Sequence, residues 1–381
     1  MNLQTTMSKY EASSILASWL QGYGCQHDFI DDYINYAMPL LRRGLPVIRT
    51  EDGLIMLIGS ASIIDMANHP HDFYFNFKLP KKSGGYRNIS APYAPLKIKQ
   101  RWILDNILTK LPSSHNVTSY KKETNIINNA SCHYDQKIVL CLDIKDFFPS
   151  INTSMVNAIF SGAGYNQQVS ALLTKLCILD NSVPQGAPTS PAISNLVLKK
   201  EDDRIARFIY KHRIHYTRYA DDMTFSGDFN PNMIIKFVEQ ILDENGFKLN
   251  HKKTRIMRKD NRQLVTGIIV NNHSLGASRA IRQQLRKTAY YINKFGIISH
   301  MCRQRITDLN YLAAQLGLAH YVKSVETAIS HATQTSCKSD SKIDVVIDIL
   351  LNAQKSLRKI KNLPTLIQEE IMQLKLFNCN S

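Results

Sequence analysis

The sequence lacks any apolar run approaching the ~18 residues of a membrane-spanning helix, and it opens without the basic-then-apolar pattern of a secretory leader. A cytoplasmic protein with no membrane partner is the expectation. Cysteine is scattered: Cys25, Cys132, Cys141, Cys177, Cys302, Cys337 and Cys379 include no Cys-x-x-Cys pair, and their number is odd. Both a disulfide framework and a structural zinc site are disfavoured. His69 and His71, flanking Pro70, read as a surface loop rather than a metal pair. Acid is in deficit, with Asp+Glu at 31 against Lys+Arg at 47 and a formal net charge of +16. An excess of this size favours a polyanionic partner, and nucleic acid is the natural one.

What is present is first a core. The 381 residues are 44% hydrophobic, which suits one multi-lobed protein of roughly two to three subdomains. The most informative segment is Tyr219-Ala220-Asp221-Asp222. It joins two short β-like runs, 215–218 (HYTR) and 223–226 (MTFS), so a hairpin with two adjacent acids at its turn is expected. A turn between such strands has no use for neighbouring like charges unless a cation neutralises them. Hard cations are held by a few carboxylates together with substrate phosphates, which makes this turn a candidate two-metal phosphoryl-transfer site. A third acid lies upstream. Residues 137–144 (KIVLCLDI) are apolar and β-branched, as in a buried strand, and Asp143 stands near the end of the run. A carboxylate there is expensive unless paired or metal-bound. Side by side in one antiparallel sheet, the two elements could bring three carboxylates onto two ions.

These segments resemble the palm of reverse transcriptases. Asp143 with Phe147 and Phe148 is similar to the family's first catalytic motif, and Tyr219-Ala220-Asp221-Asp222 to its second. Between them, Val183-Pro184-Gln185-Gly186-Ala187-Pro188-Thr189-Ser190-Pro191 is similar to its Pro-Gln-Gly-x-x-x-Ser-Pro segment. Gly186 lets the backbone approach a flat ligand, Gln185 supplies donor and acceptor groups, and a helix over 192–210 is expected to follow. Residues 77–89 (FKLPKKSGGYRNI) look like the fingers hairpin that grips the incoming triphosphate. There Arg87 can fork onto phosphate oxygens, and Lys81 or Lys82 can add a point charge. Residues 246–254 (GFKLNHKKT) resemble the later motif whose lysine approaches the leaving pyrophosphate; Lys253 is the choice, with Lys252 as the alternative.

The resemblance covers roughly residues 70–320. It implies an α+β, right-hand polymerase with fingers, a palm whose antiparallel sheet carries the acids, and a helical thumb. It implies an RNA-directed DNA polymerase, a nucleotidyltransferase acting on dNTPs. Asp143, Asp221 and Asp222 would be its catalytic acids and, with the Ile144 backbone, would ligate two Mg²⁺ ions, for which Mn²⁺ can substitute. Lys81, Arg87, Asp146, Phe147, Phe148, Gln185, Gly186 and Lys253 would form the nucleotide site, with Phe148 screening the sugar 2′-position.

Two further segments narrow the resemblance to retron reverse transcriptases. Asn129-Ala130-Ser131-Cys132-His133 fits their Asn-Ala-x-x-His element, and Val265-Thr266-Gly267 fits their Val-Thr-Gly element. In that family these elements are associated with the retron's own structured RNA, so Asn129, His133, Val265, Thr266 and Gly267 are expected to bind RNA. The resemblance implies priming from the 2′-hydroxyl of a guanosine in a cognate noncoding RNA and partial copying of that RNA. The enzyme would stay bound to the resulting branched RNA–DNA product, commonly for phage defence with a separate effector protein. The alternatives are another bacterial defence-associated reverse transcriptase making untemplated DNA, and a noncatalytic RNA-binding scaffold. The three intact acids disfavour the scaffold.

Along the chain, residues 1–70 are expected to form an N-terminal helical extension with an apolar stripe of Ile15, Leu16, Trp19 and Leu20. Residues 71–270 supply fingers and palm. They include a helix over about 96–111 in which Trp102, Ile103 and Ile107 pack and Lys97, Lys99 and Arg101 could track template phosphate. Residues 271–335 form the thumb, where Arg279, Arg282 and Arg286 share one helix face, extended by Tyr290 and suited to duplex phosphates. Residues 336–381 form a helical tail: a polar linker over 336–340, an amphipathic helix with Val345, Val346, Ile349 and Leu350 ended near Pro364, and a short helix over 365–376. The tail could pack on the thumb, bind RNA or contact an effector.

Overall fold

The computed structural model describes residues 9–81, 84–271, 275–306, 308, 310–328 and 341–358. Lys82, the 336–340 linker, Pro364 and the 365–376 helix lie outside the described residues. The chain divides into two compact units: Met1–Tyr120 with Asp143–Phe208 and Asn232–His251, and Lys121–Leu142 with Ile209–Pro231 and Lys252–Ser381.

The first unit begins with helices Lys9–Gly22, His27–Arg42, Glu51–Ile58 and Ile63–Asn68. Local chemistry sets their ends. Thr50 Oγ1 accepts from the Gly53 amide at 3.1 Å, and Gly59 closes the same helix in the left-handed region. Leu40, Ile48, Leu54 and Ile63 are fully buried. The stripe expected on the first helix splits. Leu16 and Leu20 are half-buried, whereas Ile15 and Trp19, one row round the helix, are 58% and 62% exposed. Only one of two adjacent rows faces the neighbouring helix, and Trp19 meets Tyr23 edge-on instead.

Strands β1 (Tyr74–Pro80) and β2 (Tyr86–Pro92) follow as an antiparallel hairpin, with Gly84 and Gly85 taking positive φ at its turn. The next helix, Ala94–Asn106, is anchored by the fully buried Gln100, whose Nε2 donates to Tyr74 Oη at 2.7 Å and to Leu176 O at 2.8 Å. It ends short of the expected 111. The fully buried Ile107 leaves helical backbone at φ −121°, ψ −67°, and a tighter turn, Leu108–Lys110, takes over. The helix expected over 192–210 is likewise two, Ser190–Val197 and Lys199–Tyr210, interrupted at Leu198.

A four-stranded sheet runs in the order β4-β5-β3-β6, built from β3 (Ile138–Asp143), β4 (His215–Tyr219), β5 (Asp222–Gly227) and β6 (Arg255–Arg258); all but the last residue of β3 belongs to the second unit. β3 is an interior strand and all of its residues are buried, as its unbroken apolar run requires. A small hairpin, β7 (Leu264–Val265) with β8 (Ile268–Ile269), packs with Ala130, Val139 and Cys141 in one core. Helices Arg279–Phe295, Ile297–Arg303, Tyr311–Thr327 and Ser341–Arg358 share a second core that includes Leu285, Ile292, Met301, Val322, Ile347 and Leu350. The last helix therefore packs on the helices before it, joined also by Lys323 to Asp344 at 2.7 Å. Its buried stripe runs through Ile343, Val346, Ile347 and Leu350, and Val345 is 56% exposed. Among the described residues no helix is long and apolar enough to cross a membrane.

Leu350 has no exposed surface. Leu350→Ala is expected to destabilise this helical core by about 2–5 kcal/mol, read as a lower denaturant midpoint. An unchanged midpoint would show that the Ser341–Arg358 helix does not contribute to it.

Candidate active site

The acids at 221 and 222 sit where β4 turns into β5. The register pairs Tyr219 with Asp222, leaving Ala220 and Asp221 as a two-residue turn. Ala220 has φ +58°, a positive value at the first turn position that matches the twist of the strands and that alanine adopts at a cost. Arg218, fully buried, donates from Nη1 to the Ala220 carbonyl at 2.9 Å and braces that residue. Below the turn, the Tyr216 and Phe225 rings stack across the strands at 4.7 Å. Asp221 and Asp222 are half-buried, and the residues behind them on β5, Met223 to Ser226, are buried. β5 lies beside β3 in the sheet, where the Cys141 thiol is 4.0 Å from Thr224 Oγ1. Burial pushes that thiol up, and the Asp222 carboxylate adds to the rise. Cys141 thus stays a neutral thiol two residues before Asp143.

Asp143 is the last residue of β3 and only 5% exposed. Asn250 holds it twice: its Nδ2 donates to Asp143 Oδ1 at 3.1 Å, and its backbone amide donates to the Asp143 carbonyl at 2.8 Å. The pairing continues through Ile144 opposite Leu249 and the Lys145 amide on Lys248 O. Asp146 then turns the chain at φ +45° into the short helix Phe147–Ser150. Phe147 is buried against Phe247, and Phe148 remains half-exposed beside it.

In the first unit, the segment holding Gln185 and Gly186 is hydrogen-bonded to β2, with the Ser90 amide donating to Gln185 O at 2.9 Å. Gly186 has φ +135°, and a Cβ there would lie 2.7 Å from Ser90 O. Only glycine permits that approach. Lys81 and Arg87 are exposed on the β1–β2 hairpin, and Lys253 is exposed in a short turn before β6. Lys99, expected near template phosphate, instead donates to the Ile58 carbonyl at the end of a helix at 3.0 Å.

The two retron-type elements meet in the second unit. Asn129 Nδ2 donates to Thr266 Oγ1 at 3.4 Å, and Thr266 Oγ1 donates to Ile126 O at 3.3 Å. His133 has both ring nitrogens 2.7 Å from hydroxyls, Nδ1 from Ser226 Oγ and Nε2 from Thr217 Oγ1. Desolvation, with a smaller push from His215, lowers its pKa to about 3. Asn129, His133 and Val265 were expected to contact RNA, but they are at most 1% exposed and offer no side-chain surface to it. Thr266 is half-buried and Gly267 exposed. On helix Arg279–Phe295, Arg279 and Arg286 are exposed; Arg282 lies 3.6 Å from Glu326 on helix Tyr311–Thr327.

Sequence reading missed Asn250 and Arg218. Both lie inside motifs whose other residues carry the signal, and neither announces a hydrogen bond to a remote or turn carbonyl by its spacing.

Gly186→Ala is expected to cost about 1–3 kcal/mol of stability, because it combines a left-handed backbone with a close approach to Ser90 O. Ser90→Ala, which keeps the backbone carbonyl, should leave that cost in place. A Gly186→Ala protein as stable as the parent would show that the two segments do not hold this distance in solution.

A family model described as reverse transcriptase (RNA-dependent DNA polymerase) matches residues 79–270. The chain is 33% identical over 268 residues to the retron Ec86 reverse transcriptase of Escherichia coli, a match covering 68% of this chain and 83% of that protein. It is 36% identical over 273 residues to the retron Mx65 reverse transcriptase of Myxococcus xanthus, covering 65% of this chain and 64% of that protein. Among solved structures, a telomerase from Candida albicans aligns over 78% of this chain and 65% of its own, at a TM-score of 0.42 and 10% identity, too distant to bear on function. The matched span takes in β3, the 183–191 segment and the β4–β5 hairpin with all three acids, and on these findings the chain belongs to the reverse transcriptase family, as an RNA-directed DNA polymerase of the bacterial retron type.

Proposed function

We propose that this enzyme copies part of a cognate structured noncoding RNA, starting from an RNA 2′-hydroxyl, and yields branched RNA-linked single-stranded DNA. The observation that carries the reading is the β4–β5 hairpin with Asp221 and Asp222 at its turn, beside the buried strand that ends in Asp143, in a chain of the retron type. Fingers and palm would occupy 71–270 and a thumb 271–335, after a helical extension over 1–70 and before a tail over 336–381. A cytoplasmic role in antiphage defence with a separate effector completes the proposal.

In this reading Asp143, Asp221, Asp222 and the Ile144 carbonyl hold two Mg²⁺ ions, with Mn²⁺ able to replace them. The donor set fits: it is all hard oxygen. Among the described residues, no three His, Cys, Asp or Glu side chains are grouped so as to hold a metal ion by themselves. When bound, such ions supply activation of the attacking hydroxyl and charge stabilisation of the leaving pyrophosphate. The protein's own groups do the positioning. Arg87 forks onto triphosphate oxygens, Lys81 and Lys253 add charge, and the Gln185-Gly186 backbone and Asp146-Phe147 bound the nucleotide. The half-exposed Phe148 ring excludes a ribose 2′-hydroxyl and so favours dNTPs. Arg279 and Arg286, with Arg282, meet backbone phosphates, and in the retron-type elements Ser131, Cys132, Thr266 and Gly267 retain surface for RNA.

Asp221→Asn and Asp222→Asn are each expected to abolish DNA synthesis and to leave the co-purifying RNA in place. Synthesis surviving in either variant would sink the metal assignment. The companion experiment is a denaturing gel of nucleic acid bound to protein expressed with its native upstream DNA. A discrete DNA that RNase shortens without destroying, with a debranching-sensitive junction, is expected. Heterogeneous DNA free of RNA would point to untemplated synthesis, and RNA without DNA to a binding scaffold.

A further inference from the structure

We propose that His133 is a positioning residue for the hairpin that carries Asp221 and Asp222, bridging its two strands, and is not a contact to RNA. The inference rests on the reading that those two acids are catalytic. Thr217 belongs to β4 and Ser226 to β5. They are not direct partners: Thr217 pairs with Thr224, two residues from Ser226. One imidazole holding both hydroxyls spans the hairpin diagonally, so sliding of one strand along the other breaks a bond. The hairpin needs such a brace, because its two-residue turn carries a non-glycine residue at positive φ.

The histidine is itself held. It follows helix Ile126–Ser131, whose start is fixed by reciprocal side-chain caps from Asn125 and Asn128. That helix is tied through Asn129 and Ile126 to Thr266. A continuous line of contacts runs from the 265–267 turn, through the helix, to His133 and the acid-bearing hairpin. It gives the two retron-type elements a shared mechanical role that direct RNA contact does not explain. A neutral ring has one donor and one acceptor nitrogen, and the two hydroxyls can match either tautomer. With no exposed surface and a strongly depressed pKa, the ring holds that neutral form throughout the working pH range.

The test compares His133→Phe, Thr217→Val and Ser226→Ala with the parent. Each is assayed for primed synthesis on poly(rA)/oligo(dT), which needs no cognate RNA, and for RNA co-purified per mole of protein. His133→Phe should lower kcat by roughly 10- to 100-fold, the scale of loss for a reacting group displaced by about 1 Å, with KM for dTTP and co-purified RNA near parental values. The Thr217→Val/Ser226→Ala pair should reproduce most of that loss, and adding His133→Phe to it should cost less than about threefold more. Imidazole ¹⁵N shifts of His133 should stay those of a neutral ring between about pH 5 and 8. Parental kcat in His133→Phe overturns the proposal, as does loss of co-purified RNA with unchanged primed synthesis. Should His133→Phe not fold, the two hydroxyl variants decide: a fall in kcat supports the bridge, and parental rates in both overturn it. Active Asp221→Asn or Asp222→Asn would instead undo the underlying reading, whereas inactive Asp variants with a normal His133→Phe sink only this inference.

Discussion

A carboxylate at the end of a wholly buried strand is the constraint on which the site depends. Asp143 closes β3 with 5% of its surface exposed, and an uncompensated charge in such a place costs several kcal/mol. The chain answers with Asn250, which binds both the carboxylate and the carbonyl of the same residue. The backbone bonds from 248–250 to 143–145 continue strand-like pairing beyond the end of β3, so the acid is presented by paired backbone and not by a loose loop end.

The β4–β5 hairpin solves a related problem differently. Two adjacent acids at a turn repel one another, and the turn that displays them holds Ala220 in a backbone conformation costing about 1–2 kcal/mol. Such strain persists only where the surroundings over-determine it. Here they do so through Arg218 on the Ala220 carbonyl, Tyr216 stacked on Phe225, and His133 across the strands. The hairpin is therefore stiff at its base, while its acids keep the partial exposure that a substrate needs.

The sequence made the repeating parts of this architecture legible and hid the singular ones. The apolar run of β3 and the alternation of 215–218 and 223–226 declare strands, because burial on a sheet leaves a periodic trace. Helix ends were less visible. Ile107 and Leu198 look like ordinary helix residues, and each interrupts its helix in a tertiary setting that local propensity does not encode. Val345 and Ile15 are apolar residues that stay more than half exposed, a choice made by which faces the neighbouring helices meet. Within the site, Arg218, Asn250 and the partners of His133 were invisible for a common reason. Each makes bonds whose other end is remote in sequence or is a backbone carbonyl, and neither leaves a pattern. Asn129 and Thr266, 137 positions apart, could be read only as separate elements.

Burial divides the side chains of this enzyme into two kinds. Those that fix geometry, such as Arg218, His133, Asn129 and Phe147, are almost wholly buried, where low polarity strengthens each hydrogen bond and excludes competing water. The cations proposed for nucleotide and backbone phosphates, Lys81, Arg87, Lys253, Arg279 and Arg286, are exposed. An exposed cation carries little desolvation cost in the free protein, and phosphate binding releases counterions, so its contribution falls as salt rises. A buried brace is nearly indifferent to salt. On the proposed reading, the net charge of +16 would act on capture of a polyanion, and the buried polar bonds on alignment of the acids. Salt would, on that reading, weaken the first without disturbing the second, so polyanion binding would fall with ionic strength while the acid-bearing strands stay in register.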